Sequence, residues 1–140
     1  MTAEKARILY CHCAHSRVVP DDVKRGVLER LTASGADFQA VPDLCEMSAC
    51  KDPTLPELAG EGPLRIAACY PRAVRWLFHA AGAPLPEEEV HVLNMRAESA
   101  DEVAEDLFAP EAELVEREKA RAEAAAAAAQ QQAEPKEAEA

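Results

Sequence analysis

The apolar positions of this chain gather into four short runs, separated by polar stretches that contain turn residues. Runs of this length, rich in aliphatic side chains, predict buried strands. They lie at residues 6–10, 37–44, 64–69 and 89–93. The stretches between them differ in length and composition, and these differences indicate what connects the strands.

Two of the three connecting stretches, and the stretch after the last run, predict helices. The first begins at residue 21 or 22, where an aspartate can cap it, has apolar residues at helical spacing and ends at Gly35. The second opens with Pro71, ends at Gly82 and contains Trp76, whose neighbours at helical spacing predict a packing role. A Ser-x-x-Glu capping box at residues 99–102 predicts a last short helix through Leu107.

The stretch at residues 45–63 is the exception. It contains three prolines and two glycines, which leave room for one helical turn at most. The alternation of strands and helices predicts an α/β, Rossmann-like domain over residues 6–108, with a four-stranded, mainly parallel sheet in two or three layers. Right-handed crossovers join its strands.

The remaining residues have a different composition. Residues 109–129 are rich in Ala, Glu and Arg and predict a solvated helix, and residues 130–140 predict a disordered tail. The 140 residues carry a net charge of −11, yet residues 1–86 are balanced. The excess acid therefore lies after the region that holds all five cysteines.

Composition also excludes some classes of function. A net acidic chain with 4% aromatic residues lacks the basic face and stacking surface of a nucleic-acid binder. No apolar run reaches the roughly 20 residues that span a bilayer. The first residues lack the apolar stretch of a secretory signal, so we expect a cytoplasmic protein whose cysteines bind metal or react as thiols rather than form structural disulfides.

The cysteines converge on one edge of the predicted sheet. Cys11 and Cys13 end the first strand, Cys45 and Cys50 follow the second, and Cys69 ends the third. Binding sites of parallel sheets collect beyond the carboxyl ends of the strands. In extended backbone, residues two apart point to the same side, so Cys11 and Cys13 can address one centre.

Four interpretations of these cysteines remain open on the residues alone. In the first, the cysteines are small core residues. In the second, they hold zinc with the help of His12 or His15 in a protein-interaction module. In the third, four of the cysteines hold a [4Fe–4S] cluster. In the fourth interpretation the chain is a thiol–disulfide redox protein, with Cys45 and Cys50 as a reversible pair if their Cα atoms lie within about 7 Å.

The motifs around the cysteines resemble a known domain. Tyr-Cys-His-Cys at 10–13, a middle cysteine and Ala-Ala-Cys-Tyr-Pro-Arg at 67–72 are similar to motifs of the N-terminal iron–sulfur domain in the flavin-binding component of heterodisulfide reductase and its relatives. The similarity covers residues 6–96. It implies a [4Fe–4S] cluster with Cys11, Cys13 and Cys69 as ligands. Cys50, followed by Lys-Asp, is the preferred fourth ligand and Cys45 the alternative.

The chain departs from that family in two places. Ala14 stands where the family has glycine, and the flavin-binding region that follows in the family has no counterpart. No Gly-x-Gly-x-x-Gly occurs in the sequence, so we expect no FAD or NAD site. Arg72, His12 and His15 are expected beside the cluster rather than on it, with Arg72 raising its potential.

The resulting expectation is an electron-transfer protein. It would act as a small subunit or accessory of a larger, heterodisulfide-reductase-like oxidoreductase and would not be catalytic alone. Its partner would be a flavin or iron–sulfur subunit.

Overall fold

The strands and helices of this protein alternate along the chain as the sequence pattern predicts. The computed structural model describes residues 6–13, 19–60, 63–86 and 90–133. Its elements are β1 (Arg7–Cys11), α1 (Asp21–Ser34), β2 (Gln39–Val41), α2 (Leu44–Ala49), α3 (Thr54–Ala59), β3 (Leu64–Ala68), α4 (Pro71–Ala80), β4 (Val90–Asn94), α5 (Ala100–Phe108) and α6 (Glu111–Ala133).

The four strands form one sheet in the order β2-β1-β3-β4. All three strand pairs are parallel, with Leu9 opposite Ile66 and Ile66 opposite Val92 across the centre of the sheet. The predicted α/β fold with a four-stranded sheet is therefore confirmed, and the sheet is parallel throughout. The chain first moves outward from β1 to β2 and then crosses back to β3, so the strand order reverses between β1 and β3.

This strand order places helices on both faces of the sheet. Right-handed crossovers put α1 on one face and the helices α2, α3 and α4 on the other, and α2 and α3 both pack against α4. On the first face, α1 meets α5 so closely that a Cβ built on Gly26 would lie 2.6 Å from the Cβ of Ala100. The domain therefore has three layers.

Two arginines tie helices to the strands beneath them. The Arg7 guanidinium donates to the carbonyl oxygens of Leu58 and Ala59, each at 3.0 Å, at the end of α3. The buried Arg65 donates to those of Asp106 and Leu107, at 2.8 and 3.2 Å, at the end of α5. The last carbonyls of a helix have no partner within it, so these side chains supply the missing donors.

Residues 45–63 differ from the expectation of a loop with at most one helical turn. The predicted second strand, 37–44, is only three residues long, and two six-residue helices follow it. The side chain of Asp43 accepts hydrogen bonds from the N–H groups of Cys45 and Glu46 and so begins α2. Pro56 lies in the first turn of α3, where its missing N–H costs no helical hydrogen bond.

The helix ends of the main domain follow local chemistry with one exception. The capping box is confirmed, since Ser99 N donates to Glu102 Oε1 and Glu102 N to Ser99 Oγ. Gly35 ends α1 with a φ of 74°, a conformation that glycine adopts without strain. The aspartate cap predicted for α1 is wrong, because Pro20 is the capping residue. The two aspartates lie in the first turn, where their negative charges interact favourably with the positive end of the helix dipole.

Trp76 lies at the surface of α4. Its side chain is 64% exposed, and the neighbour at helical spacing that it contacts is His79 on the surface. The buried face of α4 is formed by Val74 and Phe78, and a residue midway between these two along the helix points to the other side.

The described residues from 108 to 133 belong to a second structural unit. Its helix α6 is stabilised by an i,i+4 ion pair between Glu113 and Arg117, with 2.6 Å between Arg117 Nη2 and Glu113 Oε1. The helix continues to Ala133, four residues beyond the predicted end at 129, because alanine and glutamine both favour helix. The rest of the predicted disordered tail, residues 134–140, lies outside the described residues.

Candidate functional site

The cysteines Cys11 and Cys69 lie where the strand order reverses. Cys11 is the last residue of β1, and Cys69 directly follows β3, its neighbour in the sheet. Both side chains are buried, with 2% and 8% of their surface exposed. A crevice forms outside the carboxyl ends of two strands whose connections lead to opposite faces. The fold therefore places Cys11 and Cys69 at the crevice where parallel sheets of this kind bind ligands.

The Cys-His-Cys motif turns its two cysteines inward and its histidine outward. Cys11 and Cys13 are buried and His12 is exposed. The Sγ atoms of Cys11 and Cys13 lie 3.6 Å apart. Cys13 has a φ of 51°, in the left-handed region that costs a residue with a side chain roughly 1–2 kcal/mol. The backbone is thus strained at Cys13, the residue whose sulfur lies beside that of Cys11.

The strained backbone of Cys13 is attached to helix α1. Lys24 is buried, and its Nζ donates to the Cys13 carbonyl oxygen at 3.1 Å. The Tyr10 hydroxyl donates to the Lys24 carbonyl oxygen at 3.2 Å and lies 3.0 Å from His12 Nδ1. These bonds fix the loop after β1 to the body of the domain.

Cys13 interacts with both of the other buried cysteines, and its Sγ lies 3.6 Å from that of Cys11. A hydrogen bond from the Cys13 thiol lowers the pKa of Cys69 to about 6, with help from the N–H groups of Tyr70 and of Cys69 itself, against desolvation that raises it. The same thiol lowers the pKa of Cys11, helped by the Leu44 N–H, which lies 3.4 Å from Cys11 Sγ. The pKa of Cys13 is raised, because it is the donor in both bonds. The three sulfurs are therefore coupled, and hydrogen bonding among them favours the thiolate form of Cys69.

The two middle cysteines occupy opposite ends of α2. Cys45 is in its first turn, next to Leu44, and Cys50 is its C-terminal cap. Partial desolvation and the charges of Asp43, Cys69 and Cys11 raise the pKa of Cys45, which places it within electrostatic range of the buried sulfurs. Both cysteines are exposed, and Cys50 lies about 7.5 Å farther along the helix axis than Cys45. The helix therefore presents Cys45, and not Cys50, to the site.

This spacing also bears on the Cys45–Cys50 pair. A helical rise of about 7.5 Å over five residues already exceeds the roughly 7 Å that a disulfide tolerates between Cα atoms. All five cysteines are free. The geometry of α2 does not support a reversible disulfide between these two.

Other predicted site residues lie farther from the sulfurs or outside the described ranges. Arg72 is exposed in the first turn of α4, and His15 is not among the described residues. Lys24 and Asp43 were missed by sequence reasoning. Asp43 could have been found as a capping residue before a helical stretch, whereas a lysine among surface-type residues of an amphipathic helix gives no sign that it is buried.

No protein-family model, curated protein or solved structure matches the chain. Within residues 6–13, 19–60, 63–86 and 90–133, no three His, Cys, Asp or Glu side chains are arranged around one point to hold a metal ion. None of the helices described there is long and apolar enough to cross a membrane. The geometry and chemistry of the sulfurs therefore carry the functional argument.

Proposed function

We propose that this chain is an electron-transfer protein that holds one [4Fe–4S] cluster at the carboxyl edge of its sheet. The observation that supports this most is that three buried cysteines, Cys11, Cys13 and Cys69, follow the carboxyl ends of the neighbouring strands β1 and β3, with 3.6 Å between Cys11 Sγ and Cys13 Sγ. Their motifs are those that resemble the iron–sulfur domain of heterodisulfide reductase. Buried cysteines at the carboxyl ends of neighbouring strands suit iron–sulfur ligation.

We propose Cys45 as the fourth ligand in place of Cys50. Cys45 interacts electrostatically with Cys69 and Cys11, and the N–H of its neighbour Leu44 already reaches Cys11 Sγ. Cys50 resembles the middle motif of the family more closely in sequence, but it caps the far end of α2. With Cys45, the donor set has the four sulfurs that a [4Fe–4S] cluster needs.

The chain's own groups would hold and tune such a cluster, which supplies one-electron redox chemistry when bound. The N–H groups of Leu44 and Tyr70 donate to ligand sulfurs, and hydrogen bonds of this kind favour the more negative, reduced state. The buried Lys24 places a donor on the Cys13 carbonyl. Burial of Cys11, Cys13 and Cys69 keeps water away from their sulfurs, whereas Cys45 is exposed.

The role that fits this site is that of a small subunit or accessory of a larger oxidoreductase. The cysteines of the described residues offer one candidate cluster site and the chain has no Gly-x-Gly-x-x-Gly, so we propose that a separate flavin or iron–sulfur subunit completes the electron path. Five free thiols suit a reducing compartment such as the cytoplasm.

Serine substitutions followed by visible absorption test this proposal. The protein purified without oxygen should show a broad band near roughly 400 nm that bleaches on reduction. Cys69→Ser and Cys45→Ser should abolish the band, and Cys50→Ser, the matched control on the same helix, should keep it. Retention of the band in Cys69→Ser would contradict the cluster site, and its loss in Cys50→Ser alone would assign the fourth ligand to Cys50.

One distance favours a second candidate, a zinc-stabilised interaction module. Two ligands of a tetrahedral zinc ion with Zn–S bonds of about 2.3 Å stand about 3.8 Å apart, close to the 3.6 Å between Cys11 Sγ and Cys13 Sγ. Ligands on different irons of a cluster must stand farther apart. Zinc in the purified chain, without acid-labile sulfide, would establish this candidate and exclude the first.

A further inference from the structure

One exposed surface of the main domain combines aromatic and basic side chains. It begins at Tyr70, the residue after Cys69, and continues along the outer face of α4. We call it the α4 face, and it consists of Tyr70, Arg72, Trp76, His79 and Arg96. All five are exposed, Tyr70 at 40% and Trp76 at 64%.

The side chains of the α4 face are arranged in contact pairs. The rings of Trp76 and His79 have centroids 5.3 Å apart at 32°, and Arg96 Cζ lies 4.5 Å from the centroid of the Tyr70 ring. Arg72, Trp76 and His79 follow one another at i, i+4 and i+7, so they share one side of the helix. The rings are therefore held at the surface rather than folded away from water.

The charge of this face is opposite to that of the chain. The α4 face carries two arginines, Arg72 and Arg96, and no acidic residue, while the whole chain has a net charge of −11. The excess acid of the chain lies after residue 86, so a strongly acidic protein would be repelled by that part and attracted to the α4 face. Such asymmetry orients a charged partner during encounter.

We propose that the α4 face is the docking site of a small acidic electron-carrier protein. Tryptophan, tyrosine and arginine are the residues that contribute most to binding at protein interfaces, and this face presents all three. It is continuous with Cys69 through Tyr70, so a partner seated on it lies at the edge of the sulfur site. The proposal rests on the proposed function, because it assigns the electron carrier for that site.

The single tryptophan of the chain makes the test direct. The full-length, iron-loaded protein is labelled with 5-fluorotryptophan, so that one fluorine resonance reports on Trp76. It is titrated with a plant-type ferredoxin as the acidic probe and with cytochrome c as the basic one. Ferredoxin should shift or broaden the resonance, the effect should weaken as salt is raised, and cytochrome c should have none.

Two charge-reversal variants distinguish an effect of the α4 face from an effect of the net charge of the chain. Arg96→Glu should weaken ferredoxin binding by about tenfold, as expected for an interface anchor. Arg25→Glu makes the same charge change at an exposed residue of α1, on the other face of the sheet. It should leave the affinity for ferredoxin within about twofold, since it changes the electrostatic potential only far from the α4 face. Calorimetry with Trp76→Ala provides a second measure and should show a loss of similar size to that of Arg96→Glu.

Each other outcome overturns the docking proposal. These outcomes are no response to ferredoxin, an equal response to both probes, equal effects of the two reversals, or a resonance that moves with the chain's own concentration, which would assign the face to a second copy. Iron and sulfide are assayed in the same samples. A loaded protein that does not bind ferredoxin refutes the docking site alone, and a protein without iron refutes the proposed function.

Discussion

Replacing Asp43 with alanine should loosen the helix that brings Cys45 to the sulfur site. Asp43 is 3% exposed, and its Oδ1 accepts from Cys45 N at 2.8 Å and from Glu46 N at 3.3 Å. Alanine removes both bonds, whereas asparagine keeps an oxygen at that place and ranks with aspartate as a helix cap. The pair Asp43→Ala and Asp43→Asn therefore separates the cap from the charge.

The size of the effect follows from the two lost bonds. Loss of an N-cap costs about 1 kcal/mol, within a range of roughly 0.5–2 kcal/mol. For a domain of about this length, 1 kcal/mol lowers the melting temperature by roughly 4–8 °C. We expect that shift for Asp43→Ala and a change of no more than a few tenths of a kcal/mol, by the same ranking of caps, for Asp43→Asn.

Circular dichroism of the reduced, metal-free protein measures the melting temperatures. In the iron-loaded protein, Asp43→Ala should also release iron to a chelator faster than Asp43→Asn, since α2 carries Cys45 and the Leu44 N–H that reaches Cys11 Sγ. Equal melting temperatures for the two variants would refute the capping argument. An alanine variant more stable than the native protein would show that the buried charge outweighs the cap.

Three further substitutions probe the fold and the site. Gly26→Ala should destabilise the protein by about 1–2 kcal/mol despite the better helix propensity of alanine. In thermal denaturation, the double variant Gly26→Ala/Ala100→Gly should recover most of that loss. Stabilisation by the single change would show that α1 and α5 can move apart. Phe78→Ala, at a fully buried position, should cost about 3–5 kcal/mol in urea denaturation, and a cost below about 1 kcal/mol would mean that α4 does not anchor the core. Lys24→Met should lower the cluster's reduction potential, because a nearby positive charge favours the reduced state; an unchanged potential in a redox titration would show that the Lys24 contact with Cys13 positions the loop without tuning the site.

Local patterns were enough to predict the sheet and most helices. The four apolar runs correspond to β1–β4, and the Ser99–Glu102 box begins α5 as expected. The prolines of residues 45–63 led to the wrong prediction of a loop, because Pro56 is compatible with a helix when it lies in the first turn. Whether a proline interrupts a helix depends on its position from the helix start, and that start is set by the capping bonds of residues before it.

The site was only partly predictable, for a related reason. Strand ends fix the positions of Cys11, Cys13 and Cys69, and strand ends can be read from apolar runs. The choice between Cys45 and Cys50 depends on α2, which the sequence pattern does not reveal. The burial of Lys24 depends on the left-handed turn at Cys13, a conformation that local propensity assigns to glycine rather than to cysteine.

The most direct test of the account is the amount of iron, acid-labile sulfide and zinc per chain in protein purified without oxygen. About four iron and four sulfide per chain, with little zinc, are what four thiolates around a [4Fe–4S] cluster predict. One zinc and no sulfide would contradict the electron-transfer proposal and support the interaction module. A chain that contains neither metal, even after reconstitution with iron and sulfide, would show that the converging cysteines do not form a metal centre.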